Sequence, residues 1–277
     1  DNTLILHKGV YNRIVKDFNN GKPLSFIMST SNDAPIGSGL GTSSTMVVAI
    51  LEAYNKWLGL GLNDYQKAKL AYEIERIDLK LAGGKQDQYA AVFGGFNLIE
   101  FRTDGTTILN SLRLDKSRVE ELECSLLLYY SGTSRKSAEV QKELAKNIIN
   151  DQVQKTEEKK SSTIDAMKSL KEYAFLMKDC VLIGNFEGFS NCLKVAWEAK
   201  KKTSSIISNK SLEETINYAI ENGADSVKVS GAGGGGFLMI YCDPMNRQKV
   251  INAMEKLPGK IYPVKFTKNG VESWVVD

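Results

Sequence analysis

A loop rich in glycine and hydroxyl side chains, residues 33–45, joins an apolar segment to an amphipathic helix and constrains the fold more than any other feature. Gly37, Gly39 and Gly41 let its backbone turn sharply and approach a ligand without a Cβ atom in the way. Hydroxyl residues follow where the helix should begin: Thr42, Ser43, Ser44 and Thr45. A helix start leaves about four N–H groups unpaired and carries roughly half a positive charge, so it attracts anions. We therefore predict a phosphate-binding loop; the alternative is an ordinary turn capped by Thr42 or Ser43.

The common phosphate-binding loops do not fit these residues. The Walker loop requires a lysine directly before the Ser/Thr, whereas Gly41 precedes Thr42. The dinucleotide fingerprint fails in both frames, because Thr42 and Ser44 stand at its third glycine. Protein kinases carry a later His-Arg-Asp loop, and no histidine follows His7. A lone histidine also argues against a Ser-His-Asp hydrolase or a multi-histidine metal site.

Composition and charge argue against nucleic-acid and membrane partners. The chain has 277 residues, enough for a large core or two domains, and 36 basic against 33 acidic residues give a net charge of only +3. No apolar run approaches the ~18 residues of a spanning helix. The densest basic run, Lys200–Lys202, is interpreted as a solvated helix end or loop.

The cysteines are scattered and form no Cys-x-x-Cys pair. They lie in apolar contexts at Cys124, Cys180, Cys192 and Cys242. This distribution favours buried, reduced thiols in a cytoplasmic protein over a zinc site or a disulfide framework.

Three segments resemble motifs of the GHMP kinases, the family of galactokinase, homoserine kinase, mevalonate kinase and phosphomevalonate kinase. Residues 35–44 resemble its central ATP-binding motif, residues 228–237 its C-terminal glycine motif, and residues 83–91 the catalytic segment of its sugar-1-kinase branch. The similarity covers most of the chain from Pro23 to Phe237. It implies nucleotide contacts from Pro35, Gly37, Ser38, Gly39, Leu40, Gly41, Thr42, Ser43, Ser44, Gly233 and Gly234.

A kinase of this kind needs a divalent cation, and Mg²⁺ takes only one or two protein oxygens. Ser44, on the first helical turn, is one candidate ligand. Glu73 and Glu75 are candidate carboxylates, and since two residues on a helix are roughly 200° apart, only one of them can face the site. The family pattern implies Glu75; the alternative is that Glu75 is a solvated surface carboxylate.

The resemblance implies that Asp87 is the base that accepts the proton of the acceptor hydroxyl, or that holds this hydroxyl in line. The alternative is an N-cap for a helix starting near Gln88. Gly84, Asp87, Arg135 and Gly234 are the expected substrate-binding residues. Arg135 offers a fork suited to a phosphate on the acceptor, although an arginine at a helix start is also a common structural feature. Lys85 is expected either to pair with Asp87, to bind phosphate or to be solvated.

The implied activity is ATP- and Mg²⁺-dependent phosphorylation of the anomeric hydroxyl of a sugar. Similarity over residues 72–101 favours a heptose 7-phosphate as the acceptor. Galactose or fucose is the nearest alternative, and mevalonate or homoserine is more distant. A non-catalytic nucleotide- or sugar-binding regulator and an ATP-independent scaffold are the rivals from other classes. The partner is thus a small sugar or sugar phosphate; the sequence leaves the oligomeric state open.

The predicted fold is α+β in two lobes: a ribosomal protein S5-like N-terminal lobe over residues 1–118, which binds the nucleotide, and a ferredoxin-like helical lobe over residues 119–277. The family's first motif is not found upstream of Pro35, so we expect the N-terminal strands of the fold to be absent from this sequence. Helical periodicity predicts helices at Val10–Phe18, Thr42–Leu58, from Asn63 to about Leu79, within 136–202, at Ser211–Asn222 and at Pro244–Leu257. Strands are predicted at Leu24–Ser31, after the turn at 93–95, at Thr106–Leu114, Cys124–Tyr130, Val227–Ser230 and Phe237–Tyr241, and twice in the tail.

Overall fold

The computed structural model describes residues 4–35, 37–132, 137–153 and 163–276. The chain divides into two compact units. The first comprises residues 1–36, 41–97 and 267–277, and the second comprises residues 37–40 and 98–266. The boundary at 118/119 stays a prediction. Across the described ranges, no helix combines the length and apolar character needed to cross a membrane.

The described chain contains both helices and short strands without regular alternation, so the α+β prediction is confirmed. The helices are α1 (Ile5–Phe18), α2 (Thr42–Leu58), α3 (Asp64–Glu73), α4 (Gln86–Phe93), α5 (Lys116–Ser125), α6 (Ser137–Val153), α7 (Thr163–Ile183), α8 (Phe186–Lys201), α9 (Lys210–Glu221) and α10 (Arg247–Met254). A π-helical turn (Ile74–Asp78) extends α3, and a 3-10 turn (Pro244–Asn246) precedes α10. The strands are β1 (Asn97–Phe101), β2 (Thr107–Ser111), β3 (Leu126–Tyr130), β4 (Ser226–Val229), β5 (Phe237–Tyr241) and β6 (Lys260–Pro263).

In the first unit, α2 is the central helix and contacts α1, α3 and α4. Its predicted bounds are confirmed at both ends, and Gly59 ends it with a φ of 61°. The predicted capping box of α3 is also confirmed: Gln66 N–H donates to Asn63 Oδ1, and Asn63 N–H donates to Gln66 Oε1. The amino end of α2 is therefore anchored in a packed group of helices.

The second unit is built on an antiparallel sheet in the order β4-β5-β3-β6. Its chain order, β3, helices, β4, β5, α10, β6, is that of a ferredoxin-like fold, as predicted for the C-terminal lobe. Helices α8 and α9 contact β4, and α10 contacts β6. Residues from both layers form the core, among them Leu127, Val229, Leu238, Ile240 and Met254.

Two predicted strands are wrong. Residues 24–31 form no strand and pair with no strand of the described chain; Ile27 is 99% exposed. The tail contains only β6, because residues 264–276 make no ladder. Both segments contain residues that strands favour, but a strand also needs a neighbour to satisfy its backbone groups.

The polar interval 115–123 forms most of α5, and this helix runs on to Ser125. The strand predicted from Cys124 therefore starts later, at Leu126. Because α5 turns Leu122 and Ser125 inward, Cys124 is exposed, contrary to the expectation of a buried thiol. All four cysteines are unpaired, and Cys192 and Cys242 are buried as predicted.

Replacing Gly236 with alanine should destabilise the second unit. Gly236 has a φ of +88°, and a Cβ atom there would lie 2.2 Å from the Ser38 carbonyl oxygen. We expect the free energy of unfolding to fall by about 2–4 kcal/mol, the sum of the cost of a left-handed conformation for alanine and the cost of overpacking. Gly105 is the matched control, because it has a φ of +86° and open space around it. If urea unfolding showed equal losses of stability for alanine at Gly236 and at Gly105, the close packing of Gly236 against Ser38 would be contradicted.

Candidate active site

The amino end of α2 is open to an anion. Gly41 occupies the N-cap in a left-handed conformation, with a φ of 71°, and provides no side-chain cap. Among the described groups, none accepts a hydrogen bond from the backbone N–H of Thr42, Ser43 or Ser44. The alternative of a turn capped by Thr42 or Ser43 is therefore wrong. These three N–H groups and the helix dipole are what a phosphate requires.

Two of the hydroxyls at this helix end contact a buried polar pair, Glu75 and Gln88, and of these two serines Ser44 is buried while Ser43 is exposed. Ser43 Oγ donates to Glu75 Oε1 at 2.9 Å, and Ser44 Oγ accepts from Gln88 Nε2 at 3.0 Å. Gln88 Nε2 also donates to Glu75 Oε2. Glu75 and Gln88 are both 0% exposed, and Ser44 is 2% exposed. The cluster thus links α2, the π-helical turn and α4 beside the predicted phosphate site.

Glu75 is not a solvated surface carboxylate, so that alternative is wrong. It lies in the π-helical turn, where Leu79 N–H donates to the Ile74 carbonyl five residues back. Such turns are rare and often mark functional sites. The Arg76 guanidinium lies 3.7 Å from Glu75 Oε1 and donates from Nε to the Gly84 carbonyl. Glu73 points elsewhere: it forms an ion pair with Arg13 at 2.7 Å.

Asp87 lies in the first turn of α4, which begins at Gln86. Lys85 occupies the N-cap position, so the alternative of Asp87 as an N-cap is wrong. A Cβ atom on Gly41 would lie 3.3 Å from both Cβ and Cγ of Asp87, so the side chain of Asp87 packs directly against the backbone at the start of α2. This contact brings the predicted base to the predicted phosphate site.

The glycines before α4 give Arg76 its place. A Cβ atom on Gly83 would lie 2.7 Å from Arg76 Cζ, whereas Gly84 has open space on its Cβ side.

The ammonium of Lys85 lies 5.0 Å from the ring centroid of Tyr72. The structure thus gives Lys85 an aromatic contact.

The rest of the predicted nucleotide loop belongs to the second unit. Ser38 is fully buried, and its carbonyl accepts from Phe237 N–H at 3.0 Å. A Cβ atom on Gly39 would lie 2.9 Å from the Ser230 carbonyl oxygen, so residues 37–40 pack closely on the loop that begins after β4. The backbone of this segment is held by that loop, while Leu40 is exposed.

Gly233 and Gly234 are buried in the loop between β4 and β5. Gly234 N–H donates to the Ile207 carbonyl at 2.6 Å. A direct contact of that N–H with nucleotide or substrate would therefore require the Ile207 bond to break.

The first unit thus brings together seven of the predicted residues: Gly41, Thr42, Ser43, Ser44, Glu75, Gly84 and Asp87. The second holds Gly37, Ser38, Gly39, Leu40, Gly233 and Gly234. Pro35 belongs to the first unit. Arg135 lies outside the described residues.

The residues at the α2 end fit a magnesium ion. Ser44 and Glu75 offer hard oxygen atoms in a buried setting, and Mg²⁺ needs only one or two of these beside water and phosphate. Gln88 Oε1 is also buried and has no hydrogen-bond partner among the described residues, which leaves a further polar oxygen beside these ligands.

Gln88 and Arg76 were not predicted as site residues. For Gln88, a signal was available: it lies four residues before the buried Val92, on the inner face of α4. For Arg76, the sequence carries no such signal, since its role depends on the loop at Gly83–Gly84 folding back over it.

Comparison with known proteins identifies the family. Residues 6–95 match the GHMP kinases N terminal domain, and residues 166–259 match the GHMP kinases C terminal domain. The chain belongs to the GHMP kinases, a family of ATP-using phosphotransferases.

Among its relatives, the chain is similar to a D-glycero-alpha-D-manno-heptose 7-phosphate kinase from Campylobacter jejuni, with 44% identity over 99% of the chain and 78% of the relative. It is also similar to a crystal structure of a D-glycero-D-manno-heptose 1-phosphate kinase from Bacteroides thetaiotaomicron, with a TM-score of 0.81 and 40% identity over 100% of the chain and 76% of that structure. An L-fucokinase/L-fucose-1-P guanylyltransferase from Bacteroides fragilis shares 28% identity over 83% of the chain and 23% of its own length.

Proposed function

We propose that this protein is an ATP- and Mg²⁺-dependent kinase that phosphorylates the anomeric hydroxyl of D-glycero-D-manno-heptose 7-phosphate. The anomeric oxygen forms a bond to the γ-phosphorus of ATP while the bond from that phosphorus to the β–γ bridging oxygen breaks. The hydroxyl proton passes to the Asp87 carboxylate, and ADP leaves.

The observation that carries this proposal is the contact between Asp87 and Gly41. Phosphoryl transfer requires mainly that the acceptor oxygen, the phosphorus and the leaving oxygen are held in line. The N–H groups at the start of α2 suit the phosphates, and the carboxylate of Asp87 adjoins them within one unit. A base beside an anion site is what an attacking hydroxyl needs.

Ser44 and Glu75 are the residues proposed to hold Mg²⁺, which when bound neutralises charge on the phosphate oxygens. The contribution of the chain is positional. Gln88 donates to both proposed ligands, and Ser43 donates to the other Glu75 oxygen, so neither carboxylate oxygen is free to rotate away.

The acceptor is inferred from the relatives. The most similar ones described above are named for heptoses that already carry a phosphate, at position 7 in one name and position 1 in the other. An anomeric phosphate would block the hydroxyl to be phosphorylated, so the two names specify different reactions. The sugar-1-kinase resemblance of residues 83–91 supports the 7-phosphate as acceptor.

A substrate panel tests the proposal. Purified protein with ATP and Mg²⁺ should phosphorylate the heptose 7-phosphate with a kcat/KM at least about a hundredfold above that for galactose, fucose or mevalonate, since a charged group on the substrate is recognised strongly. Phosphorus NMR should show the new phosphate coupled to the anomeric proton. Faster turnover of heptose 1-phosphate or fucose would overturn the acceptor assignment, and absence of turnover on all of them would overturn the kinase proposal.

A further inference from the structure

Two lysines of the second unit flank the loop between β4 and β5, one through a hydrogen bond to it and one in the strand that leads into it. Lys200 lies in the last turn of α8, and Lys228 lies within β4. Lys200 Nζ donates to the carbonyl of Gly231, the residue at which the loop begins its left-handed course. Both side chains are partly buried.

Among the described residues, the two ammonium groups have no carboxylate counter-ion. In the ranges that the structure describes, no carboxylate lies within ion-pairing distance of Lys200 or Lys228. The next residue behaves differently, because Lys201 Nζ lies 2.8 Å from Glu198 Oε1 and 3.3 Å from Glu213 Oε2. Burial of a charge without a partner is unfavourable, so a pair of unmatched cations calls for an anion.

The pKa values agree with this arrangement. Burial, together with the nearby Lys228 ammonium, lowers the pKa of Lys200 to about 8. Burial also lowers the pKa of Lys228. A bound anion would reverse both effects by stabilising the charged forms.

The loop that carries Gly231 also supports residues 37–40. A Cβ atom on Gly231 would lie 2.6 Å from the Gly39 carbonyl oxygen, which leaves room only for glycine. In the same packed segment, Ser38 Oγ is buried and has no hydrogen-bond partner within the described chain. The lysines therefore adjoin a segment of the predicted nucleotide loop that still has a hydrogen-bonding group unused.

We propose that Lys200 and Lys228 form a binding site for a phosphate monoester group. The proposal deepens the proposed function and rests on it for the identity of the ligands. The phosphate has two possible sources, the acceptor's own 7-phosphate or the phosphate tail of the nucleotide. The recognition chemistry is the same for both: two ammonium groups on a dianion in a partly dehydrated setting.

Paired ligands separate the two sources. Lys200→Met and Lys228→Met are each compared with Lys194→Met, an exposed lysine on the same α8 helix. Calorimetry gives the Kd for heptose 7-phosphate against unphosphorylated heptose, and for ADP against adenosine. In each site variant, the Kd for the phosphorylated ligand of one pair should rise by about tenfold or more, as expected for loss of a charged hydrogen bond. The Kd for the unphosphorylated ligand of that pair should stay within about twofold of the wild-type value. The pair that responds identifies the source.

If the Kd values for both ligands of each pair rose equally, or if no Kd changed, the proposed site would be wrong. Lys200 would then serve only to hold Gly231 through its hydrogen bond. A labelling experiment needs no variant and so does not depend on the folding of one. Unmodified protein is treated with limiting acetic anhydride at pH 8, with and without pyrophosphate or heptose 7-phosphate. At least one of these ligands should slow acetylation of Lys200 and Lys228 several-fold relative to Lys194; equal rates with and without both ligands would refute the site.

The two proposals fail separately. If the protein phosphorylates heptose 7-phosphate but phosphate ligands do not slow acetylation of the two lysines, the lysine site is wrong and the kinase assignment stands. If pyrophosphate slows acetylation of the two lysines but the protein phosphorylates none of the sugars, the kinase proposal is wrong and the lysine site stands.

Discussion

Asp87→Asn is expected to lower kcat by about a hundredfold to ten-thousandfold, the range for loss of a positioned acid–base group, with little change in nucleotide affinity. Asparagine has nearly the same shape as aspartate, so its contact with Gly41 is retained. The Asp87 carboxylate accepts a hydrogen bond from Gln86 Nε2 at 3.3 Å, a weak exposed contact. We therefore expect the change to remove a charge at the proposed acceptor site while leaving the fold intact.

Steady-state kinetics and ADP calorimetry measure the two effects separately. Asp64→Asn is the control, because Asp64 is also an acidic residue in the first turn of a helix, α3, and is more than half exposed. It should keep kcat within about twofold, as surface substitutions usually do little. If Asp87→Asn kept wild-type kcat, Asp87 would have no part in proton transfer; if it lost ADP binding as well, its role would be to hold the nucleotide.

The parts of the fold that could be predicted depend on local chemistry. Helix α2 ends where a left-handed glycine follows its apolar stripe, and the Asn63–Gln66 box fixes the start of α3 from four consecutive residues. The loop between β4 and β5 was also predictable, since four consecutive glycines disfavour both helix and regular strand. In each case the signal lies within a few residues of the feature.

The parts that could not be predicted depend on distant partners. Residues 24–31 have a composition that favours a strand but pair with no strand among the described residues. The run Lys200–Lys202 was expected to be solvated, yet Lys200 reaches a carbonyl 31 residues away in sequence. A charged side chain near a helix end is usually exposed, and only the folded loop shows that this one is not.

The candidate site divides in the same way. The glycine and hydroxyl loop is predicted from residue types that suit phosphate, whereas the roles of Glu75 and Asp87 are predictions from the family resemblance. Gln88 was missed because its function arises from three elements meeting: its amide links Ser44 on α2 to Glu75 on the π-helical turn. Its spacing from Val92 indicates the inner face of α4, but only the folded chain shows which groups its amide contacts.

Glu75→Gln is the second substitution with a large expected effect. It removes the only charge from the Ser43–Glu75–Gln88–Ser44 cluster and sets one amide against the amide of Gln88. We expect kcat to fall by about a hundredfold and the Mg²⁺ concentration for half-maximal turnover to rise by about tenfold, since a ligating charge contributes several kcal/mol. Stability should fall by about 1–3 kcal/mol, the cost of an unsatisfied buried polar group.

Glu73→Gln is the matched control, two residues earlier, where the carboxylate pairs with Arg13 on the surface of the first unit. It should leave kcat and the Mg²⁺ concentration for half-maximal turnover unchanged, and it should lower the free energy of unfolding by at most about 1 kcal/mol. A readout that does not depend on turnover is ADP affinity with Mg²⁺ and with EDTA: Glu75→Gln should reduce the difference between the two, and Ser44→Ala should do so more weakly because it removes a neutral oxygen. If Glu75→Gln were unstable but kept the full Mg²⁺ enhancement of ADP binding, Glu75 would serve only to hold Ser43 and Gln88 in place, and the metal would have to be held by other oxygens.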